Sequence, residues 1–156
     1  MLSLQEISDR LEIEDVFVRY SYAIDSRSWD DLDDVFTPDA HIDYSEMGGA
    51  SGPFKQIKEW LKIALGDRFP DYQHMVASSQ IKVDGDTATS RTMLFNPMVY
   101  QRQSGEKQVF FCGLWYRDTL VRTEKGWRIK DRHEEGCYTY NAPADMEPAP
   151  DLPAAA

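Results

Sequence analysis

Ile81-Lys82-Val83-Asp84-Gly85-Asp86-Thr87-Ala88-Thr89-Ser90 is the stretch that decides how this chain folds. Asp84-Gly85 interrupts a strand pattern, and glycine reaches the positive φ that tight antiparallel turns require, so the stretch reads as a hairpin. Long strands extend from it in both directions. Upstream, Tyr72–Val83 reads as the first. Downstream, Thr87–Arg102, Gln108–Arg122 and Trp127–Tyr140 read as the next three, separated by turns at Ser104-Gly105 and Lys125-Gly126.

Before Pro70 the period is helical. Residues 3–26 read as one long helix, apolar almost all round from Val16 to Ile24 and therefore largely buried. Ser28 reads as the N-cap of a short second helix that carries Asp30, Asp31, Asp33 and Asp34 and ends at Thr37-Pro38-Asp39. Ala40 to Ser45 reads as a short strand. Pro53 opens a third helix, with Phe54, Ile57, Trp60, Leu61 and Ala64 at helical spacing. Three helices followed by long strands predict an α+β domain over residues 1–141. Its sheet, mixed or antiparallel, is strongly curved around the helices and leaves a concave apolar pocket. Residues 142–156 hold four of the eight prolines. This tail is expected to be disordered or laid across a neighbouring subunit.

With 156 residues, 42% of them hydrophobic, the chain can bury one core and still line a pocket. The formal charge of −10 repels nucleic acid and anionic membrane, so neither is an expected partner. No apolar run approaches the roughly 18–20 residues of a membrane span. The N-terminus is acidic and amphipathic, unlike a signal peptide, and a cytoplasmic protein is expected. Cys112 and Cys137 read as reduced thiols. The third strand is apolar in both phases, with Phe110, Cys112, Leu114 and Tyr116 in one and Val109, Phe111 and Trp115 in the other. Both sheet faces therefore want cover, and a homo-oligomer, dimer or trimer, is expected.

Leu4, Leu11, Val18 and Asp25 recur at sevenfold spacing, with Ile7 and Tyr22 widening the stripe. The apolar members should face the core, so Asp25, on the same face, is a carboxylate on an apolar stripe at the helix end least favourable to negative charge. It needs a partner.

Four segments together resemble the SnoaL-like branch of the nuclear transport factor 2-like superfamily. They are Tyr20-Ser21-Tyr22-Ala23-Ile24-Asp25-Ser26-Arg27-Ser28-Trp29, Val35-Phe36-Thr37-Pro38-Asp39-Ala40, Val83-Asp84-Gly85-Asp86-Thr87-Ala88 and Gly126-Trp127-Arg128-Ile129. The resemblance implies a cone of three helices in a curved sheet. Asp25, with His74 near the start of the first long strand, is similar to the Asp–His pair of scytalone dehydratases and hexachlorocyclohexane dehydrochlorinases. There histidine is the base of an elimination and aspartate orients it. Tyr44 matches a substrate-activating tyrosine of the dehydratases, and Arg132 a cavity arginine of the dehydrochlorinases. Ile24 stands where the dehydratases have a second tyrosine. Phe95, Asn96 and Pro97 occupy the region of their second histidine, and Tyr20 replaces a lysine of the dehydrochlorinases.

The expectation is a lyase without a cofactor, acting on a small, cyclic, mostly apolar substrate. His74 is the base, Asp25 its support, Tyr44 a catalytic partner, and Tyr20 and Arg132 line the substrate site. His41 and His133 lack ligand spacing, so no metal is expected. The alternative is a non-catalytic small-ligand-binding or assembly module. Arg132 falls in the opposite strand phase from Trp127 and Ile129, so a single regular strand cannot aim all three inward: either a bulge or the strong curvature of the sheet turns it in, or it faces a subunit interface.

Overall fold

A computed structural model describes residues 1–154; Ala155 and Ala156, counted in the tail above, lie outside them. Helix α1 spans Leu4–Asp25 and α2 spans Phe54–Ala64. Strands are β1 (Phe36–Asp43), β2 (Ser51–Pro53), β3 (Asp71–Tyr72), β4 (Met75–Asp84), β5 (Thr87–Gln101), β6 (Lys107–Thr123) and β7 (Gly126–Tyr140). They form one sheet in the order β2-β1-β7-β6-β5-β3, with β4 also paired to β5. Neighbours are antiparallel except β1 and β7, which run parallel with Ile42 opposite Arg132. The sheet is therefore mixed, and it curls around α1 and α2. Among the described residues no helix is long and apolar enough to cross a membrane.

Helix α1 begins at a capping box. Ser3 Oγ accepts from the Glu6 amide at 3.1 Å, and the Glu6 carboxylate accepts from the Ser3 amide at 2.7 Å. Its buried face is Ile13, Val16, Phe17, Tyr20, Ala23 and Ile24. The sevenfold stripe instead faces outward, with Leu4 87%, Leu11 61% and Val18 44% exposed. At about 100° per residue the two faces lie nearly opposite, and the aromatic and branched residues of the first win the core. Asp9 is the buried acid of this helix. The Arg122 guanidinium beside it, aided by Gln5 and Trp127, outweighs burial and pulls its carboxyl down to about 2.

The expected second helix is a six-residue 3₁₀ segment, Trp29–Asp34, and the Ser28 side chain does not cap it. Its aspartates serve α2 instead: Lys58 reaches Asp30 at 2.8 Å and Asp33 at 2.9 Å. Thr37-Pro38-Asp39 belongs to β1 rather than ending a helix. The first long strand is broken into β3 and β4 at Gln73-His74.

Bulges give the sheet its curl. On β4, Ser78 has φ +51° where Ala77 and Gln80 bracket an extra residue against β5. On β7, Thr119 pairs with Asp131 but Leu120 with Ile129, so Lys130 is unpaired. That bulge moves Arg132 into the inward phase, as its burial demands. A second one at Cys137 follows, between the pairs Leu114–Gly136 and Gly113–Tyr138.

Residues 142–154 of the tail pack on their own chain. Trp60 Nε1 donates to Pro150 O at 2.8 Å, Arg68 meets Glu147 at 3.1 Å and Gln103 donates to Glu147 at 2.9 Å. Neither disorder nor a neighbouring subunit is needed to place it. Its few polar anchors and the side chain of Leu152, packed at Gly52, provide the docking.

Candidate active site

The break between β3 and β4 exists because α1 ends beside it. Arg27, just past the helix, takes φ +56° and turns the chain. Its guanidinium donates to Phe69 O at 2.7 Å and lies 4.9 Å from the centroid of the Tyr72 ring. The segment leading to His74 is thereby clamped against the helix end. Asp25, the last residue of α1, accepts the His74 backbone N–H at 2.9 and 3.1 Å. Its Oδ1 lies 2.7 Å from His74 Nδ1. A carboxylate can only accept, so Nδ1 carries the proton and Nε2 holds the lone pair, with Asn96 Nδ2 at 3.5 Å as a polar neighbour. The His74 side chain is 6% exposed and Asp25 27%.

His74 opens into a cavity of about 360 Å³. Phe69, Met98, Phe110 and Leu114 supply much of its apolar wall, Tyr20, Tyr44 and Tyr116 its hydroxyls, and Met146 to Ala149 of the tail one edge. The size suits one or two fused rings, and the few convergent polar groups are what a small-molecule site needs. Tyr20 joins the two other phenols, with its hydroxyl 2.9 Å from that of Tyr44 and 3.4 Å from that of Tyr116. Its ring stands edge-on to His74, centroids 6.1 Å apart. Burial pushes all three phenols above their usual range, so they stay protonated and can donate. Burial also raises the Cys112 thiol to about 11, which leaves it a neutral wall residue.

Arg132 does not line the cavity. It is 2% exposed and sits behind it, gripping Asp118 through two 2.8 Å bonds. Its guanidinium carbon lies 3.9 Å from the Tyr116 ring centroid and 4.1 Å from that of Tyr20. Burial works against its charge, but Asp118 more than offsets that and holds the guanidinium ionised. Arg132 therefore positions two phenols of the wall and has no direct path to a ligand.

Three residues of the wall escaped sequence reasoning. Asn96 reaches within 3.5 Å of His74 Nε2, from the region opposite the β3–β4 break. Tyr116 continues the inward phase of Phe110, Cys112 and Leu114. Glu134 shares the face of Arg132 once the Lys130 bulge is granted, and that alternation was the available signal. Its carboxyl is buried, which raises it to about 8 even though Arg132 acts in the other direction.

A family model of the SnoaL-like domain matches residues 5–133. The Mycobacterium tuberculosis protein Rv2910c is 56% identical over 138 residues, 88% of this chain and 92% of that one. A Novosphingobium aromaticivorans protein provisionally named a scytalone dehydratase superposes with a TM-score of 0.74 at 22% identity, over 96% of this chain and 97% of that one. The hexachlorocyclohexane dehydrochlorinase LinA-type3 of Novosphingobium barchaimii superposes with a TM-score of 0.75 at 15% identity, over 95% and 99%. At such identities the two structures speak for the fold alone. The 129 matched residues carry the assignment: this chain belongs to the SnoaL-like family, on the nuclear transport factor 2-like fold.

Proposed function

We propose that the protein is a lyase whose general base is His74 held by Asp25, acting on a small, cyclic, mostly apolar molecule. One observation carries this reading: an imidazole fixed through Nδ1 on a carboxylate, with its side chain in the wall of an apolar cavity. Nε2 takes a proton from a C–H bond made acidic by a neighbouring carbonyl or leaving group. Asp25 stabilises the imidazolium that forms. Tyr44 and Tyr20 donate hydrogen bonds to the oxygen on which charge develops. Loss of a leaving group completes an elimination, whereas return of the proton to another carbon completes an isomerisation. The dehydratase and dehydrochlorinase names among its structural neighbours fit the first outcome. Deuterium uptake isolates the base step. 2-Tetralone, a fused-ring ketone of suitable size, incubated with the protein in D₂O should gain deuterium beside its carbonyl far faster than in buffer. His74→Ala should return the rate to background with the fold intact by circular dichroism. Equal rates in the two proteins would remove the reading.

The working form we propose is a homo-oligomer built through the outer sheet face. Met75, Met93, Phe95, Val109, Tyr138 and Tyr140 are all more than a third exposed. They form one patch, on which Phe95 stacks with Phe111 at 5.6 Å and Phe111 with Tyr140 at 6.3 Å. A contiguous apolar area of this kind is costly to leave in water. Light scattering at micromolar concentration should give a dimer or trimer, and Phe95→Glu a monomer. A monomeric mass for the unaltered protein would overturn the assembly.

A further inference from the structure

We propose that Glu134 is the acid partner of His74, a carboxyl of the cavity wall that gives its proton to an oxygen atom of the bound molecule. The contact rests on the cavity alone, and the proton transfer rests on the elimination reading above.

Glu134 stands directly across the ladder from Tyr116. Both line the cavity into which His74 opens. The path from His74 runs along the sheet from the start of β4 through β5 and β6 to β7. That is three strand spacings of about 4.8 Å, shortened across the cavity by the curl. Base and carboxyl thus line one space that fits a small ring system, and they reach it from separate strands. Burial disfavours the ionised form of Glu134. Arg132, two residues away, favours it, while Asp43 at the end of β1 and Glu46 just after it oppose it. Arg132 is already committed to Asp118. Tyr20, Tyr44 and Tyr116 face the same space and stay neutral, as does the Cys112 thiol. The carboxyl is held up to about 8, so at neutral pH it carries a proton.

An elimination needs that proton when the leaving group is hydroxyl. His74 Nε2 takes a proton from carbon, and the C–H electron pair becomes the new C=C bond. The C–O bond breaks with its pair passing to oxygen, and the Glu134 proton converts the departing oxygen to water. The site is left as an imidazolium and a carboxylate, which exchange one proton each with solvent to reset. Halide leaves without such help, so a neutral carboxyl in the cavity wall favours oxygenated substrates. This residue type at this place is what a dehydration uses and what a dehydrohalogenation has no need of.

Two infrared readouts test this without turnover, and neither depends on His74 acting as a base. The first is the carboxylic acid C=O stretch of the protein, compared between wild type and Glu134→Gln. Wild type should show one band absent from the variant, lost with a midpoint of about pH 8. The second is the carbonyl stretch of acetophenone labelled with ¹³C at its carbonyl. In wild type near pH 6.5 it should shift to lower frequency on binding, and the part of the shift that Glu134 supplies should be lost with that same midpoint. In Glu134→Gln any shift should be independent of pH, because the amide does not titrate. A Glu134 carboxyl already ionised at pH 6.5 overturns the proposal. So does a ketone band that is unshifted in wild type, or whose pH dependence survives in Glu134→Gln. If deuterium uptake fails while both infrared results hold, the acid stands and the base is misassigned.

Discussion

Asp118→Asn should destabilise the protein by about 3–5 kcal/mol, the cost of leaving a buried charge without its partner. The Asp118 and Arg132 side chains are 0% and 1% exposed, so water cannot take over either role. Asn keeps the shape and one acceptor but removes the charge, and Arg132 Nη1 is already buried without a hydrogen-bond partner. The guanidinium would then be left with one neutral acceptor and the weak cation–π attraction of the rings around it, those of Tyr20 and Tyr116 nearest. Urea unfolding at fixed pH measures the loss. The double variant Asp118→Leu with Arg132→Met should recover much of it, because replacing a whole buried pair with apolar side chains is often neutral. A loss below about 1 kcal/mol for Asp118→Asn would mean that the pair is solvated in solution.

That pair also marks where sequence reading stops. The hairpins at Gly85, Gly105 and Gly126 are local events, each announced by its own turn residues, and the strands they connect fall within a residue or two of their expected ends. Helix α2 was equally plain from its spacing. Lys130 carries no sign that it bulges, since only the pairing of β7 with β6 defines one. Arg132 sits in the phase opposite Trp127 and Ile129, and the sequence could not decide between an outward arginine and one turned inward by a bulge or by the curl. The parallel pairing of β1 with β7 joins residues about ninety positions apart, and no local signal encodes such a contact. The reading of α1 failed in an instructive way. Leu4, Leu11 and Val18 have the right period and the wrong direction, because a helix apolar on several sides leaves its orientation to the rest of the fold. Asp25 lies beside His74 because α1 ends there, and the outward stripe has no part in it. Glu134 was missed because a polar residue on a strand reads as solvent-facing until the bulge or the curl is known, and Asn96, noted only by its region, was given no role for the same reason.

Asp25→Asn should cut deuterium uptake by 10²–10⁴-fold while leaving ketone binding nearly unchanged, in line with the loss of an orienting carboxylate. The reason is specific to this geometry. Asp25 accepts three bonds from His74, two from the backbone N–H and one from Nδ1. Asn has one oxygen for this work, and its NH₂ group meets the His74 N–H donor to donor. The strand break loosens, the ring loses its fixed tautomer, and no negative charge remains to stabilise the imidazolium. Uptake should fall in rate constant with little change in the ketone concentration needed for half-saturation. A variant that loses ketone binding instead would make Asp25 a structural residue of the β3–β4 break.

The ¹⁵N spectrum of the His74 ring, recorded at a pH where the imidazole is neutral, reports directly whether Asp25 presents it as a base. In wild type, Nδ1 should carry the shift of an N–H nitrogen and Nε2 that of an unprotonated acceptor, and Asp25→Ala should abolish this distinction or reverse it. A proton on Nε2 in the wild-type protein, or an identical pattern in Asp25→Ala, would contradict the assignment of His74 as the base held by Asp25.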